Sequence, residues 1–198
     1  MSAAGFRVPV GTSDATARLA ESLEFTAGEG PCVNSGNSDT PTTATAAGIA
    51  DRWPGFAEQL FTVTPYRSVH SIPLGNRTNS LGSLDLYGAG ARGLEAVAAP
   101  AAVIAAEVLT VLTTLDVDHV DPVTGELEAA WLHGPTPAHR MTSWIAVGRV
   151  VAAFDVDVAD ALTVLRAYAF SHSRTLDDIA HDAADGRVDL DDLGPARP

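Results

Sequence analysis

The residues from Ala138 onwards carry the strongest structural signal in the chain, an apolar pattern with the period of an α-helix. It predicts a first helix over 138–154. A second helix is expected after the N-cap Asp157, and a third after the N-cap Thr175. The expected buried residues are Trp144, Gly148, Val151 and Ala152 in the first helix, Val158, Ala161, Leu165 and Tyr168 in the second, and Leu176, Ile179, Ala180 and Ala183 in the third. Helices this short with brief connections predict a small bundle.

The N-terminal part alternates short strand and helix patterns. A strand is expected at Gly5–Val10 and a helix at Asp14–Leu23. The glycines and proline of 25–32 predict a tight loop, and a loose polar region follows to about Ala44. Two strands, Arg67–Leu74 and Leu81–Tyr87, are predicted to form a hairpin.

A long alanine-rich helix is predicted over Leu94–Leu115, with Pro100 in its first turn because proline is tolerated there. This helix is apolar on more than one face. Since one apolar face can pack on the sheet, the other apolar face indicates that this helix contacts a second copy of the chain in a homodimer. The fold class expected is α+β.

Changes in composition divide the chain. Residues 1–115 are expected to form one domain, and 138–190 a second, helical domain. The segment 116–137 is acidic and rich in proline and glycine, which predicts a linker with room for a short helix near Glu126–Leu132. Residues 191–198 are an acidic tail.

The charge is strongly negative. The formal net charge is −13, and all 12 basic residues are arginines. Acidity of this degree argues against a broad electrostatic surface for nucleic acid. We find no apolar run close to the roughly 18 residues of a membrane span and no signal pattern, so we expect a cytoplasmic protein.

Residue patterns typical of catalytic and metal-binding sites are sparse in this chain. The single cysteine, Cys32, excludes an intrachain disulfide and a multi-cysteine metal site. It is either a redox sensor or a small core residue. The chain has no phosphate loop, metal-ligand cluster or nucleophile elbow. We therefore expect no enzyme, no catalytic residue, no metal and no cofactor.

The C-terminal helices resemble a known family. Ala146-x-Gly148 in the first helix, Ala161-Leu-x-x-Leu-Arg-x-x-Ala169 in the second and Arg174-x-Leu-x-x-Ile-Ala180 opening the third are similar to the ANTAR family of antitermination regulators. The resemblance covers about fifty residues. It implies a three-helix domain that binds structured RNA hairpins and commonly acts as a dimer.

Upstream motifs resemble the GAF domains that precede ANTAR domains in actinobacteria. They are Leu23-Glu-Phe-Thr-x-Gly-Glu-Gly-Pro-Cys32, Arg52-Trp-Pro-Gly-Phe56 and Leu81-Gly-Ser-Leu-Asp-Leu-Tyr87. The resemblance implies a sensor with an antiparallel sheet and helices that takes an unidentified small ligand. A GAF domain normally begins with a helix and strand before the segment at 6–10. We therefore expect an N-terminally truncated GAF sheet whose Phe6–Val10 strand lacks a neighbour.

The expected function is transcription antitermination by binding of leader-transcript hairpins. The alternative is a small-molecule sensor whose ANTAR helices serve only dimerisation. RNA-contact candidates are Arg149, Arg166 and Arg174 for phosphates and His172 for a base or phosphate.

Each candidate has a second interpretation. Arg166 and Arg174 are equally able to pair with acids on the surface, the candidates being Asp160, Asp177 and Asp178. His172 and His181 could be solvated helix-end residues. Gly148 allows close approach either of another helix or of RNA.

Overall fold

Helices account for most of what the computed structural model describes, which is residues 7–76, 80–90, 94–114, 119–120, 127–128 and 134–193. In chain order the elements are α1 (Ala15–Ala27), α2 (Pro31–Ser38), β1 (Thr42–Thr45), α3 (Ala46–Arg52), α4 (Pro54–Val63), β2 (Ser68–Leu74), β3 (Gly82–Gly88), a 3-10 turn (Glu95–Val97), α5 (Ala98–Thr114), β4 (His119–Val120), β5 (Leu127–Glu128), α6 (Pro135–Phe154), α7 (Val158–Ser171), α8 (Leu176–Ala184) and α9 (Leu190–Leu193). The predicted α+β class is confirmed.

The chain folds into two compact units that do not follow the predicted boundaries. One unit, called the helical unit below, joins Met1–Thr26 to Ala130–Pro198, and the other, called the sheet unit, is Ala27–Ala129. The boundaries expected from composition put all of residues 1–115 in one domain. The structure instead groups the first 26 residues with the C-terminal helices.

Side-chain caps set the starts of two helices in the helical unit. The Asp157 side chain accepts a hydrogen bond from the Asp160 amide at 2.9 Å, and Thr175 accepts one from the Asp178 amide at 3.1 Å. Each satisfies a backbone donor that has no partner within its helix. Both caps were predicted. Helix α6 begins at Pro135, earlier than the expected 138, because proline is well suited to a first helical turn.

The core of the helical unit differs from prediction mainly in α6. The predicted apolar face of α8 is confirmed, since Leu176, Ile179, Ala180 and Ala183 are all buried. In α7, Ala161 and Leu165 are buried, Tyr168 is half-buried and Val158 is 46% exposed. Helix α6 buries Ala146, Val147 and Val150, while Trp144 and Val151 are half-buried and Gly148 and Ala152 are exposed. The helix face that was predicted to be buried therefore lies nearer to solvent than the face that the structure buries.

Helix α1 packs against the C-terminal helices through apolar and backbone contacts. Phe25 is buried in their core, with its ring 5.9 Å from that of Trp144. The Thr26 hydroxyl accepts a hydrogen bond from the Leu176 amide at 2.8 Å, at the first turn of α8. The predicted loop over 25–32 is therefore wrong at its start, because Phe25 and Thr26 gain these partners as part of a helix.

A buried ion pair reinforces the same contact. The Arg140 guanidinium of α6 donates to both carboxylate oxygens of Asp177 of α8, at 2.8 and 3.1 Å, and the two residues are 1% and 2% exposed. Arg140 also donates to Glu21 of α1 at 2.6 Å. Ser22 of α1 and Ser143 of α6 donate to the Asp177 carboxylate at 3.0 and 2.5 Å. Three helices thus share one polar network, which we call the Asp177 network.

The segment before α1 is not a strand where it is described. Arg7–Val10 has no regular secondary structure, and Phe6 lies outside the described residues. The Arg7 carbonyl accepts a hydrogen bond from the Trp144 indole at 3.4 Å. The predicted strand over 5–10 is therefore not found over its described part, and this backbone contacts the helical unit.

In the sheet unit, the predicted hairpin is confirmed. The described sheet has the order β1-β2-β3 and is antiparallel throughout, with Thr42 opposite Ser71 and Ser71 opposite Asp85. One face packs Ile72 and Leu74 against α5. On the other face, Ser35 of α2 shares a hydrogen bond with Ser71 at 2.7 Å.

Regular elements occupy part of the region that was expected to be irregular. Gly28, with a φ of 70°, follows α1, and Pro31 starts α2. Glycine adopts this left-handed conformation without the steric cost of a side chain. Strand β1 follows, with Thr42 and Ala44 buried. The polar composition of this region gave no apolar pattern from which α2 and β1 could be predicted, because α2 contacts the sheet through the polar side chains of Ser35 and Asn34.

Helix α5 is apolar beyond the face that packs on the sheet. Ala101 and Ala105 are buried, whereas Val103, Ile104 and Val111 are 64%, 53% and 50% exposed. Pro100 lies in the first turn, as predicted. By length and composition, Glu95–Thr114 could cross a membrane, contrary to our expectation that no apolar run comes close to that length. A single such helix is weak evidence for a membrane span.

Most of the predicted linker lies outside the described residues. Its described part contains β4 and β5, which pair antiparallel with His119 opposite Glu128, and the start of α6. The predicted short helix near 126–132 is therefore wrong at 127–128, and the rest of that helix is outside the described residues. So is the end of the acidic tail, residues 194–198.

The Asp177 network makes a prediction about stability. We expect Asp177→Ala to lower the free energy of unfolding by about 3–5 kcal/mol, because Arg140 would stay buried without its main counter-ion. The exposed neighbour Asp178 is the matched control, and its replacement by alanine should cost no more than about 1 kcal/mol. Urea unfolding followed by circular dichroism measures both. Equal losses in the two variants would contradict this account.

Candidate functional site

The residues predicted to contact RNA differ in their burial and in their hydrogen-bond partners. Arg149 is on an exposed part of α6, and its guanidinium donates to the Ala183 carbonyl in the last turn of α8 at 2.8 Å. The same carbonyl also accepts a hydrogen bond from the Gly186 amide at 3.2 Å, in the turn that ends the helix. The bond from Arg149 fixes the position of its guanidinium beside the end of α8.

Arg174 meets the same end of α8. Its guanidinium donates to the Asp182 carboxylate at 2.5 Å, and the Arg174 side chain is 39% exposed. The acids proposed as surface partners from sequence were different ones. The Asp182 carboxylate also accepts a hydrogen bond from the Arg187 guanidinium at 2.6 Å, so this one acidic side chain forms ion pairs with two arginines.

Arg187 was missed in the sequence analysis. It lies in a stretch rich in aspartate, which concealed it as part of an acidic end. The turn after α8 places it: Gly186 has a φ of 72°, and the Arg187 amide donates back to the Asp182 carbonyl at 2.7 Å. A glycine just after a helix is the usual signal for this cap, and it was the available clue. The Arg187 side chain is 60% exposed and also pairs with Asp185.

Arg149, Arg174 and Arg187 therefore all contact residues 182–183, and we call them the arginine cluster. The hydrogen bonds from Arg174 and then Arg187 hold the pKa of the Asp182 carboxyl below its ordinary value of 3.8. The bond to Asp182 in turn raises the pKa of Arg187. Asp182 thus fixes the positions of two of the three arginine side chains.

An aromatic pair lies just before Arg174 in the chain. The rings of Tyr168 and His172 stack with their centroids 4.1 Å apart. His172 is exposed, and its Nδ1 lies 2.8 Å from the Tyr168 carbonyl. Ser173, with a φ of 52°, then turns the chain toward α8. Such a pair offers a flat surface of the kind on which an RNA base stacks.

Arg166 is placed differently from the other candidates. It is half-buried and donates to the Phe25 carbonyl at 3.1 Å. Burial, followed by the charges of Arg7 and Arg140, lowers the pKa of Arg166. Its described contacts tie α7 to α1, so the structure does not bring it to the arginine cluster.

The remaining sequence candidates in the helical unit have simple environments. His181 is half-buried, stacks on His139 with 4.1 Å between ring centroids, and directs Nδ1 to the Asp177 carbonyl at 2.8 Å. Burial, followed by the charge of His181, lowers the pKa of His139. Gly148 is exposed, and a Cβ atom added there would meet nothing within 4 Å.

In the sheet unit, two of the sequence motifs meet. Glu29 accepts hydrogen bonds from the Gly55 and Phe56 amides at 2.8 and 3.4 Å, at the start of α4. A Cβ atom on Gly55 would lie 3.2 Å from the Glu29 carboxylate, which explains why a small residue suits this position. The carboxylate caps the positive end of the helix. These motif residues therefore have a structural role.

Two other features of the sheet unit bear on ligand binding. An open depression of about 590 Å³ lies between the β2–β3 connection and α5; it is lined by Gly75, Asn76, Ser80, Leu81, Leu109, Thr110 and Thr113. Cys32 is half-buried in α2 and has an interaction partner. Among the described residues, no group of three or more His, Cys, Asp or Glu could hold a metal ion.

Comparison of the chain with protein-family models, curated proteins and solved structures finds no match. Any function proposed for the chain therefore rests on its own residues and their contacts.

The arginine cluster predicts a titration. The Asp182 carboxyl should titrate below pH 3.8, and Arg174→Gln should move its midpoint up toward that value because the largest stabilising hydrogen bond is removed. The stabilising contribution of Asp182 is then fully present above its ordinary pKa, and it is lost as the pH falls through the lowered one. Carbon-13 NMR of the aspartate carboxyls measures the midpoints.

Arg149→Gln is the matched control for this titration, because Arg149 contacts the Ala183 carbonyl and not Asp182. It should leave the Asp182 midpoint unchanged. A midpoint at or above 3.8 in the parent protein would show that the cluster is not formed in solution.

Proposed function

We propose that this protein binds structured RNA through its helical unit and regulates transcription antitermination. The observation that carries the proposal is the arginine cluster, in which three guanidiniums from α6, the α7–α8 turn and the turn after α8 contact residues 182–183. Guanidinium groups match the geometry of phosphates. The resemblance of α6–α8 to the ANTAR family supports the same function.

The cluster and the aromatic pair complement one another chemically. Arginines supply phosphate contacts, which position an RNA, while a stacked Tyr168–His172 pair can receive an unstacked loop base. A guanidinium has five N–H donors, and the described bond to Asp182 uses one of those of Arg174. Donors therefore remain for a phosphate. Unpaired bases occur in hairpin loops, which makes a hairpin the expected ligand.

The acidity of the chain sets the expected affinity. Asp182 and Asp185 pair with arginines of the cluster, and the whole chain has a net charge of −13. Long-range attraction for RNA is therefore weak. We infer that binding depends on the shape and bases of the loop, and that its salt dependence is shallow because few phosphates are neutralised.

The sheet unit is proposed as a GAF-like sensor for a small ligand, in a cytoplasmic protein that acts as a homodimer. The exposed apolar face of α5, with Val103, Ile104 and Val111, supports a partner chain. Arg166 is left out of the proposed RNA surface because it is half-buried against Phe25.

The test is fluorescence anisotropy with short hairpin RNAs that have randomised loops, and with a fully paired duplex as the comparison. We expect the hairpin pool to bind at low salt and the duplex to bind more weakly. The double variant Arg174→Gln/Arg187→Gln should lose most of the binding. For each arginine–phosphate bond that the variant removes, the slope of log affinity against log salt should fall by about 0.7–0.9.

The double variant Arg18→Gln/Arg52→Gln is the matched control. Both arginines are exposed and far from the cluster in sequence, and the change in net charge is the same. It should bind almost as well as the parent. If the two double variants lose affinity equally, the effect is one of net charge, and the cluster is not the site. Absence of hairpin binding at low salt would favour the alternative, a sensor whose helical unit only dimerises.

A further inference from the structure

Arg166 in α7 is a half-buried cation whose described hydrogen bond and ring contact are both made with Phe25. Its Nε donates to the Phe25 carbonyl at 3.1 Å, and its guanidinium lies 5.8 Å from the centroid of the Phe25 ring. Within the part of the chain that the structure describes, Arg166 forms no ion pair, and its two terminal Nη groups donate no hydrogen bond. Four of the five N–H donors of the guanidinium therefore remain for water or a ligand.

The bond from Nε gives Arg166 a structural role but leaves its charge without a counter-ion. Phe25 lies in the last turn of α1, where backbone carbonyls lack partners within the helix. Such a carbonyl needs one N–H donor, and the helix C-terminus attracts a full positive charge only weakly. Burying a charge that is not paired is costly. A half-buried guanidinium with an open donor edge is therefore suited to binding an anion.

The charges that act on Arg166 are positive. Burial, followed by the charges of Arg7 and Arg140, lowers the pKa of Arg166, and no acid among the described residues offsets them. The Arg140 guanidinium lies 3.7 Å from the centroid of the same Phe25 ring and donates to the Arg7 carbonyl at 3.5 Å. The chain has 25 acidic and 12 basic residues, so a half-buried site of positive potential stands out and favours an anionic ligand.

We propose that the Arg166 guanidinium binds the phosphate group of a small phosphorylated molecule, at the junction of α1, α7 and the segment that begins at Arg7. The open edge of a guanidinium donates two parallel hydrogen bonds to a phosphate. Arg7, whose side chain is half-buried, supplies a second positive charge. A bound phosphate would neutralise Arg166 while Nε keeps its bond to Phe25. The ligand would therefore stabilise the contact between α7 and α1.

The burial of the site favours a small molecule over RNA as the source of the phosphate. A phosphate in an RNA backbone carries a sugar on each side, which suits exposed side chains such as Arg174 and Arg187, at 39% and 60%. A terminal phosphate carries one substituent and has three free acceptor oxygens. It can approach a guanidinium that is half-buried against a phenyl ring. This site is separate from the arginine cluster and does not depend on RNA binding.

Thermal unfolding of the full chain in inorganic phosphate tests the site. Phosphate at about ten times its dissociation constant should raise Tm by a few degrees, because it binds the folded chain. Phosphate also stabilises proteins in general, since it is excluded from their surfaces. The informative quantity is therefore the rise in Tm over sodium chloride of equal ionic strength, compared between the parent and Arg166→Gln. The variant should lose the larger part of that rise.

Arg18→Gln is the matched control for this comparison. It removes an exposed arginine of α1 and changes the net charge by the same amount. Its Tm should respond to phosphate as that of the parent does. An equal response of the parent and both variants would mean a general salt effect, and the proposal would be wrong.

Side-chain NMR of the parent chain keeps the test decisive if Arg166→Gln does not fold. The Nε–Hε signal of Arg166, identified by its absence in Arg166→Lys, should shift saturably as inorganic phosphate is added, and the signal of Arg18 should not. Lysine keeps the charge but lacks the planar donor edge, so Arg166→Lys should show a smaller rise in Tm than the parent. An Arg166 signal that does not respond to phosphate would overturn the proposal.

The same signal distinguishes the two sources of phosphate. A shift of the Arg166 signal with hairpin RNA, but not with inorganic phosphate, would assign the residue to the RNA and overturn the small-molecule site. If the parent binds no hairpin at all, the phosphate titration is unaffected. The proposed RNA binding and this site therefore fail separately.

Discussion

The buried pair of Arg140 and Asp177 is the interaction on which the helical unit depends most. A charge 1–2% exposed is tolerated only when its partners are complete, and these partners come from three helices. Asp177 receives Arg140, Ser22 and Ser143, and Arg140 also pairs with the Glu21 carboxylate. Helix α1 is therefore held in the bundle by polar geometry as well as by burial of Phe25. Without α1, the ion pair would be left partly unsatisfied, and α8 would lose the Thr26 partner of its first turn.

This constraint acts over a long distance in the chain. Arg140 and Glu21 are 119 residues apart, and Ser22 and Asp177 are 155 apart. The helical unit can close only after the intervening segment 27–129 has been bridged, which carries an entropic cost that grows slowly with length. The sheet unit is thus inserted in sequence between α1 and the C-terminal helices of the helical unit.

Local signals in the sequence predicted much of this fold. The caps at Asp157 and Thr175, the strands β2 and β3 and the core face of α8 follow from patterns within a few residues, and the structure confirms them. The position of α1 could not be predicted in the same way. Glu21 and Ser22 look like ordinary polar positions of a surface helix until Arg140 and Asp177 are brought to them by the fold. The arginine cluster was only partly visible for a related reason: Asp182 links Arg174 to Arg187 through the turn at Gly186, and the surrounding aspartates concealed Arg187.

Hydrogen exchange with and without a bound hairpin RNA tests the central claim most directly, because it locates the RNA-binding surface on the full chain without any substitution. The account predicts slower exchange of backbone amides at residues 168–174 and 182–188, which contain the aromatic pair and two arginines of the cluster. Exchange in β2 and β3 should not change. Slower exchange confined to the sheet unit, or none anywhere at saturating hairpin, would contradict the assignment of RNA binding to the helical unit.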